Sequence, residues 1–224
     1  MKKRFLIFVI IIVAFIGNYS CNLDEKNKSS INPKGMELSV EPDEYWLGKK
    51  KIFIFSLDRT PQMAAWIEDD QGNYFSTIIV TNKNAKKKWI SAPKEGRPEA
   101  LPVWNHKIQN STVKIDSVSA ATSKGAVDVQ IDNGSLTIGQ EYNVYLEINH
   151  SFDYNDFWTE NNSGVNGQPS LIYHAKFIAG TSGRIELNPI GHGSVDGSNG
   201  NIVFGLKEIT TALRIVKDAY IIIN

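Results

Sequence analysis

The stretch EYNVYLEIN, residues 141–149, decides the fold. Tyr142, Val144, Leu146 and Ile148 occupy alternate positions, and Asn143, Tyr145, Glu147 and Asn149 take the others. Successive side chains of an extended chain point to opposite faces, so this pattern predicts a β-strand with one face on a core. Working outward, MAAWIEDDQGNYFSTIIV (63–80) holds two such runs around Asp70-Gln71-Gly72-Asn73, which predicts a hairpin. LIYHAKFI (171–178) follows Asn166-Gly167 and Pro169, a turn that feeds a strand. KKIFIFSL (50–57) is aromatic and β-branched and reads as one strand. NIVFGL (201–206) reads as another, after the Gly-rich GHGSVDGSNG. In EITTALRIVKDAYIIIN (208–224), Ile209, Leu213 and Val216 suit a short helical turn, and Ile221, Ile222 and Ile223 a closing strand. RPEALPVW (97–104) reads as a loop stiffened by Pro98 and Pro102. Many short strands separated by Gly and Asn turns predict an all-β, immunoglobulin-like antiparallel β-sandwich over residues 36–224, as a single domain.

The preceding residues have a different character. Lys2-Lys3-Arg4 leads into FLIFVIIIVAFIG (5–17), an apolar run of 13 residues. A bilayer-spanning helix needs about 20, so residues 1–20 read as a signal peptide. NYSC (18–21) ends in the only cysteine, Cys21, and resembles a bacterial lipobox, with Ser20 at the cleavage position and lipid on Cys21. Asn18 departs from the aliphatic residue usual there. A lone cysteine excludes a disulfide framework within one chain. Residues 21–35 are then the lipidated cysteine and a polar tether; its 14 residues from Asn22 to Gly35 reach about 20 Å. Removing residues 1–20 leaves 21 basic against 24 acidic side chains, a net charge near −3. Nothing in that balance supplies the basic field nucleic acid requires.

The segments AAWIEDDQGNYFSTIIV, RPEALPVW, DSVSAATSKG, EYNVYLEINHSFDYN and GVNGQPSLIYHA occur in this order. Together they resemble the bacterial domain-of-unknown-function family 2271, predicted periplasmic proteins. The resemblance runs from about Glu37 to the C-terminus. It implies an exported β-rich domain that accompanies membrane redox proteins, and it transfers no catalytic residue. A narrower resemblance concerns DSVSAATSKG (116–125), which is similar to the Asp-x-x-Ser-Gly-Ala-Thr signal of covalent flavin carriers. Asp116, Ser119, Ala121 and Thr122 match it, and Thr122 would accept FMN through a phosphoester. Ala120 stands where that signal has glycine, and Gly125 where it has a final hydroxyl residue. The competing reading is a Ser/Thr-rich turn whose hydroxyls bond their own backbone.

No other pattern singles out chemistry. His106, His150, His174 and His192 lack metal-ligand spacing, and no HExxH, CxxC or GxSxG is present. His150 with Asp153 and Asp156 reads as a solvated polar loop, and Arg97 with Glu99 as a surface ion pair. The run Lys86-Lys87-Lys88 reads as a solvated loop that could meet anionic headgroups. Trp46, Trp66, Trp89, Trp104 and Trp158 suit core or loop-anchoring places, although exposed ones could form a sugar platform. The resulting expectation is a non-enzymatic, lipid-anchored, extracytoplasmic binding or accessory module. Its partners are the membrane and a membrane redox system. Two alternatives stand beside it: an electron carrier with FMN on Thr122, and a carbohydrate- or surface-binding module.

Overall fold

Period-2 patterning fixes which face of each strand turns inward, and pairing register decides whether those faces line up. In the computed structural model they do. The structure describes residues 35–52, 55–85, 96–111, 118–120, 124–132 and 135–224. The strands are β1 (Met36–Pro42), β2 (Gly48–Ile52), β3 (Phe55–Arg59), β4 (Gln62–Asp69), β5 (Tyr74–Thr81), β6 (Val118–Ala120) and β7 (Val127–Ile131). They continue with β8 (Glu141–Asn149), β9 (Leu171–Ile178), β10 (Gly183–Glu186), β11 (Asn188–His192), β12 (Val203–Phe204) and β13 (Val216–Ile223). The helices are α1 (Asn82–Ala85), α2 (Pro102–Gln109) and α3 (Glu160–Ser163).

Two sheets pack together as a β-sandwich. One has the order β10-β13-β1-β7, and the other β12-β11-β9-β8-β4-β5-β6. Every neighbouring pair in them is antiparallel except β5 with β6. The chain shuttles between sheets: β1 lies in the first, β4 and β5 in the second, β7 in the first, and β8 and β9 return to the second beside β4. In the larger sheet Ile67 pairs with Val144 and Val144 with Ala175, then Ala65 with Leu146 and Leu146 with Tyr173. These rows meet Met36, Leu38, Val40, Val129, Ile221 and Ile223 of the smaller sheet in one buried cluster. A one-residue slip of β8 would drive Tyr145 and Glu147 into that cluster, which is why the register is strongly specified.

The opposite face of the larger sheet is also covered. Ala64, Trp66, Val80 and Ile172 form a second cluster with Leu101, Val103 and Trp104, which belong to α2 and the residue before it. The protein therefore has a third layer, a helix on the outer face, where the sequence reads as a loop. Pro102 occupies the first helical position, where proline's missing N–H costs nothing and its fixed φ suits the helix. Eight residues are too few for the 3.6-residue period to stand out. A second difference lies at residues 50–57. The run does not form one strand; β2 and β3 pair antiparallel, with Ile52 opposite Phe55. Aromatic and β-branched composition reports extended conformation and says little about where the chain reverses. The C-terminal expectation holds: a 3₁₀ turn at Thr211–Arg214 precedes β13.

Candidate functional site

Helix α2 organises the outer face, and its first turn depends on Glu147. Leu101 caps the helix without a side-chain hydrogen bond, and Pro102 has no N–H to place. The remaining unpaired donors, Val103 N–H and Trp104 N–H, reach the Glu147 carboxylate at 3.2 and 2.8 Å. Ser170 donates its hydroxyl to the same carboxylate at 2.6 Å. A strand carboxylate thus does the work of an N-cap side chain and complements the positive end of the helix. Glu147 is 0% exposed. Burial pushes its pKa up to about 7 against the opposing pull of Ser170, Trp104 and Val103. Gly193 closes the site: a Cβ there would lie 2.6 Å from both Pro102 Cγ and Ser170 Oγ.

Beside this lies an aromatic ladder across β4, β8 and β9. Trp66 stacks on its register partner Tyr145 at 5.2 Å, and Tyr145 meets its own partner His174 at 4.6 Å. Burial, and secondarily Glu68, raises the Tyr145 pKa to about 12. Glu68 accepts from Trp66 Nε1 at 2.8 Å and pairs with Lys107 Nζ at 3.0 Å.

At the other end of α2 a groove of about 540 Å³ opens. Three segments distant in sequence build it: the hairpin turn Gly72-Asn73-Tyr74, the helix end with His106, Lys107 and Asn110, and Gly200-Asn201. Lys107 braces the turn by donating to the Gly72 carbonyl at 3.1 Å. His106 Nε2 donates to the Gly197 carbonyl at 3.2 Å, so the hydrogen sits on Nε2. Gly200 lies so close to His106 that a Cβ would fall 2.4 Å from the His106 Cβ. The Tyr74 hydroxyl bonds Thr77 Oγ1 at 2.6 Å, and Thr77 also accepts from Trp104 Nε1 at 2.9 Å. The groove is therefore fixed on three sides before any ligand arrives.

The loop end of the sandwich is polar and internally joined. Arg97 donates to Glu99 at 2.7 Å, Ser151 Oγ at 2.6 Å and Asn166 Oδ1 at 2.8 Å. With its side chain only 10% exposed, it is an interior clamp and not the surface ion pair the sequence suggests. Asp153 accepts from Thr211 at 2.5 Å and Gln168 at 2.8 Å, and burial raises its pKa. His150 donates through Nε2 to the Trp46 carbonyl at 2.8 Å. Burial lowers its pKa to about 4, which keeps the ring neutral. His150 and Asp153 therefore belong to a buried or half-buried network rather than a solvated loop. Among the described residues, no group of three His, Cys, Asp or Glu side chains is placed to hold a metal ion.

Cys21, Asp116 and Thr122, the residues the sequence singles out for lipid and flavin, lie outside the described residues, as do Trp89 and Lys86–Lys88. Ser119 is described as backbone in β6, paired parallel with Val80. Trp46, Trp66 and Trp104 are buried, which removes them as an exposed sugar platform. Sequence reading missed the groove entirely, because its walls come from segments about 30 and 90 residues apart. It noticed Glu147 only as a member of the polar face of β8. The signal available there was a carboxylate in the middle of a strand with hydrophobic neighbours on both sides.

Among the described residues, no helix is long and apolar enough to cross a membrane. No family model, no curated protein and no solved structure matches this chain.

Proposed function

We propose that this chain is a non-enzymatic binding module, held to the outer side of a bacterial membrane by lipid on Cys21. The observation that carries the binding part is the groove at the end of α2, about 540 Å³ in volume and within the ~300–1,000 Å³ range of small-ligand sites. Its walls are braced by hydrogen bonds and by the Lys107–Glu68 pair, so little ordering would accompany binding. Glu147 and His150, two titratable groups that burial perturbs strongly, lie against backbone partners inside the structure, a placement suited to holding loops and helix together. The export and anchoring parts rest on Lys2–Arg4, the apolar run and Cys21. Service to a membrane redox partner is the role the family resemblance suggests. The direct test is amide chemical-shift mapping of the full chain in detergent against a library of small polar molecules. Shifts confined to residues 72–74, 106–111 and 200–201 support the reading, and a library that perturbs none of them refutes it.

A further inference from the structure

We infer that the groove at the end of α2 takes a short, uncharged carbohydrate; this rests on the binding reading above and names its ligand class. The argument begins with charge. Lys107 is the cation in the walls, and it is paired at 3.0 Å with Glu68, whose side chain is 4% exposed. An anionic ligand would compete with Glu68 and the Gly72 carbonyl for that ammonium, and a cationic ligand would meet its positive charge. A neutral ligand leaves the pair intact.

The remaining wall chemistry is amide and aromatic. Among the described residues, the side-chain amides of Asn110 and Asn201 have no protein partner, and both residues are exposed at the groove. Each amide offers donors and an acceptor on one rigid plane, which matches adjacent hydroxyls that both donate and accept. His106 also lines the groove, with its Nε2 committed to the Gly197 carbonyl. Tyr74 contributes an aromatic wall, half-buried against the outer-face cluster with its hydroxyl held by Thr77. An aromatic side chain beside exposed amides suits a sugar ring, which is apolar on its C–H face and polar around its rim. The groove's volume admits a short oligosaccharide rather than a long stretch of polymer. This site is distinct from a tryptophan platform, to which Trp46, Trp66 and Trp104 cannot contribute because they are buried.

The test uses the full chain in detergent, titrated with neutral mono- to tetrasaccharides and with uronate-bearing counterparts of the same length. Binding is followed by calorimetry and by amide shifts. The expected result is that a neutral glycan binds and shifts residues 72–74, 106–111 and 200–201. Asn110→Ala and Asn201→Ala should each weaken it by about three- to tenfold, the effect of one lost hydrogen bond, without moving the thermal midpoint. Both positions are exposed, so the fold tolerates the change. The inference is overturned if no neutral glycan binds, if only uronate-bearing glycans bind, or if neither substitution weakens binding. Its failure is separable from that of the binding reading. If non-sugar molecules shift the groove residues while glycans do not, the ligand class falls and the binding module stands. If nothing shifts them, both fall.

Discussion

Replacing Glu147 with glutamine should make the protein clearly more stable above neutral pH and only slightly more stable at pH 5. The carboxyl titrates at 4.5 in a model compound and at about 7 in the folded protein, because burial penalises the anion more than its hydrogen bonds repay. Between these values the folded chain holds a proton that the unfolded chain has released. Stability therefore falls as pH rises through this window. At 1.36 kcal/mol per pH unit, the full loss is ~3.4 kcal/mol, complete above pH 7. Glutamine cannot ionise and avoids that loss. At pH 5 it poses a problem close to that of the protonated acid, since either group turns a donor toward Ser170 and Val103 N–H, the acid with one hydrogen and the amide with two. The Ser170 hydroxyl can rotate to accept from that donor, and the bond given up is the 3.2 Å contact to Val103. Urea unfolding of wild type and Glu147→Gln at pH 5, 6, 7 and 8.5 measures the difference directly. His150 contributes an opposite slope: its folded pKa near 4 lies below the unfolded value of 6.5, so its contribution grows with pH between them. That term is common to both proteins and cancels. The difference should rise from ~0.8 kcal/mol at pH 5 to ~3.4 kcal/mol in favour of glutamine at pH 8.5. A difference that stays flat, with glutamine the weaker throughout, would show that the helix N-terminus holds Glu147 ionised across the range and would refute the reasoning.

Gly193→Ala places a methyl group 2.6 Å from Pro102 Cγ and Ser170 Oγ, and overpacking of this kind costs about 1–3 kcal/mol, measurable by thermal unfolding. Leu146→Ala removes a side chain from the centre of the sandwich, 0% exposed, and should cost about 2–5 kcal/mol by the same measurement. Arg97→Met leaves Glu99, Ser151 and Asn166 without their guanidinium partner, so limited proteolysis within residues 151–168 should become faster and the midpoint of unfolding should fall. Radiolabelled palmitate should enter wild type and not Cys21→Ala in cells; equal labelling of both would refute the anchor. Denatured wild type co-expressed with a flavin transferase should carry no flavin fluorescence, and flavin that is present but lost on Thr122→Ala would instead establish the carrier reading.

Much of the sandwich was legible because its information is local. In β8, and in the hairpin of β4 and β5, the sequence alternates or reverses within a few residues, and the pairing partner's side chains follow the same period. The same logic explains the failures. Residues 50–57 hold two short strands whose composition is uniform, so no local signal marks the reversal between Ile52 and Phe55. Helix α2 is decided by what covers it. Its capping group is Glu147, 44 residues away from Val103, and its apolar partners Trp66 and Ile172 sit on other strands. Tertiary contacts of that kind override weak propensity and leave no spacing to read. The groove inherits this dependence, because two of its walls exist only where α2 ends against Tyr74 and against Gly200. A buried carboxylate at one end of an eight-residue helix and the groove at the other make the helix the element that links stability to the proposed binding site. Perturbing Glu147 should therefore change the groove residues 106–111 before it changes the sandwich core, in the order in which their contacts with α2 lie.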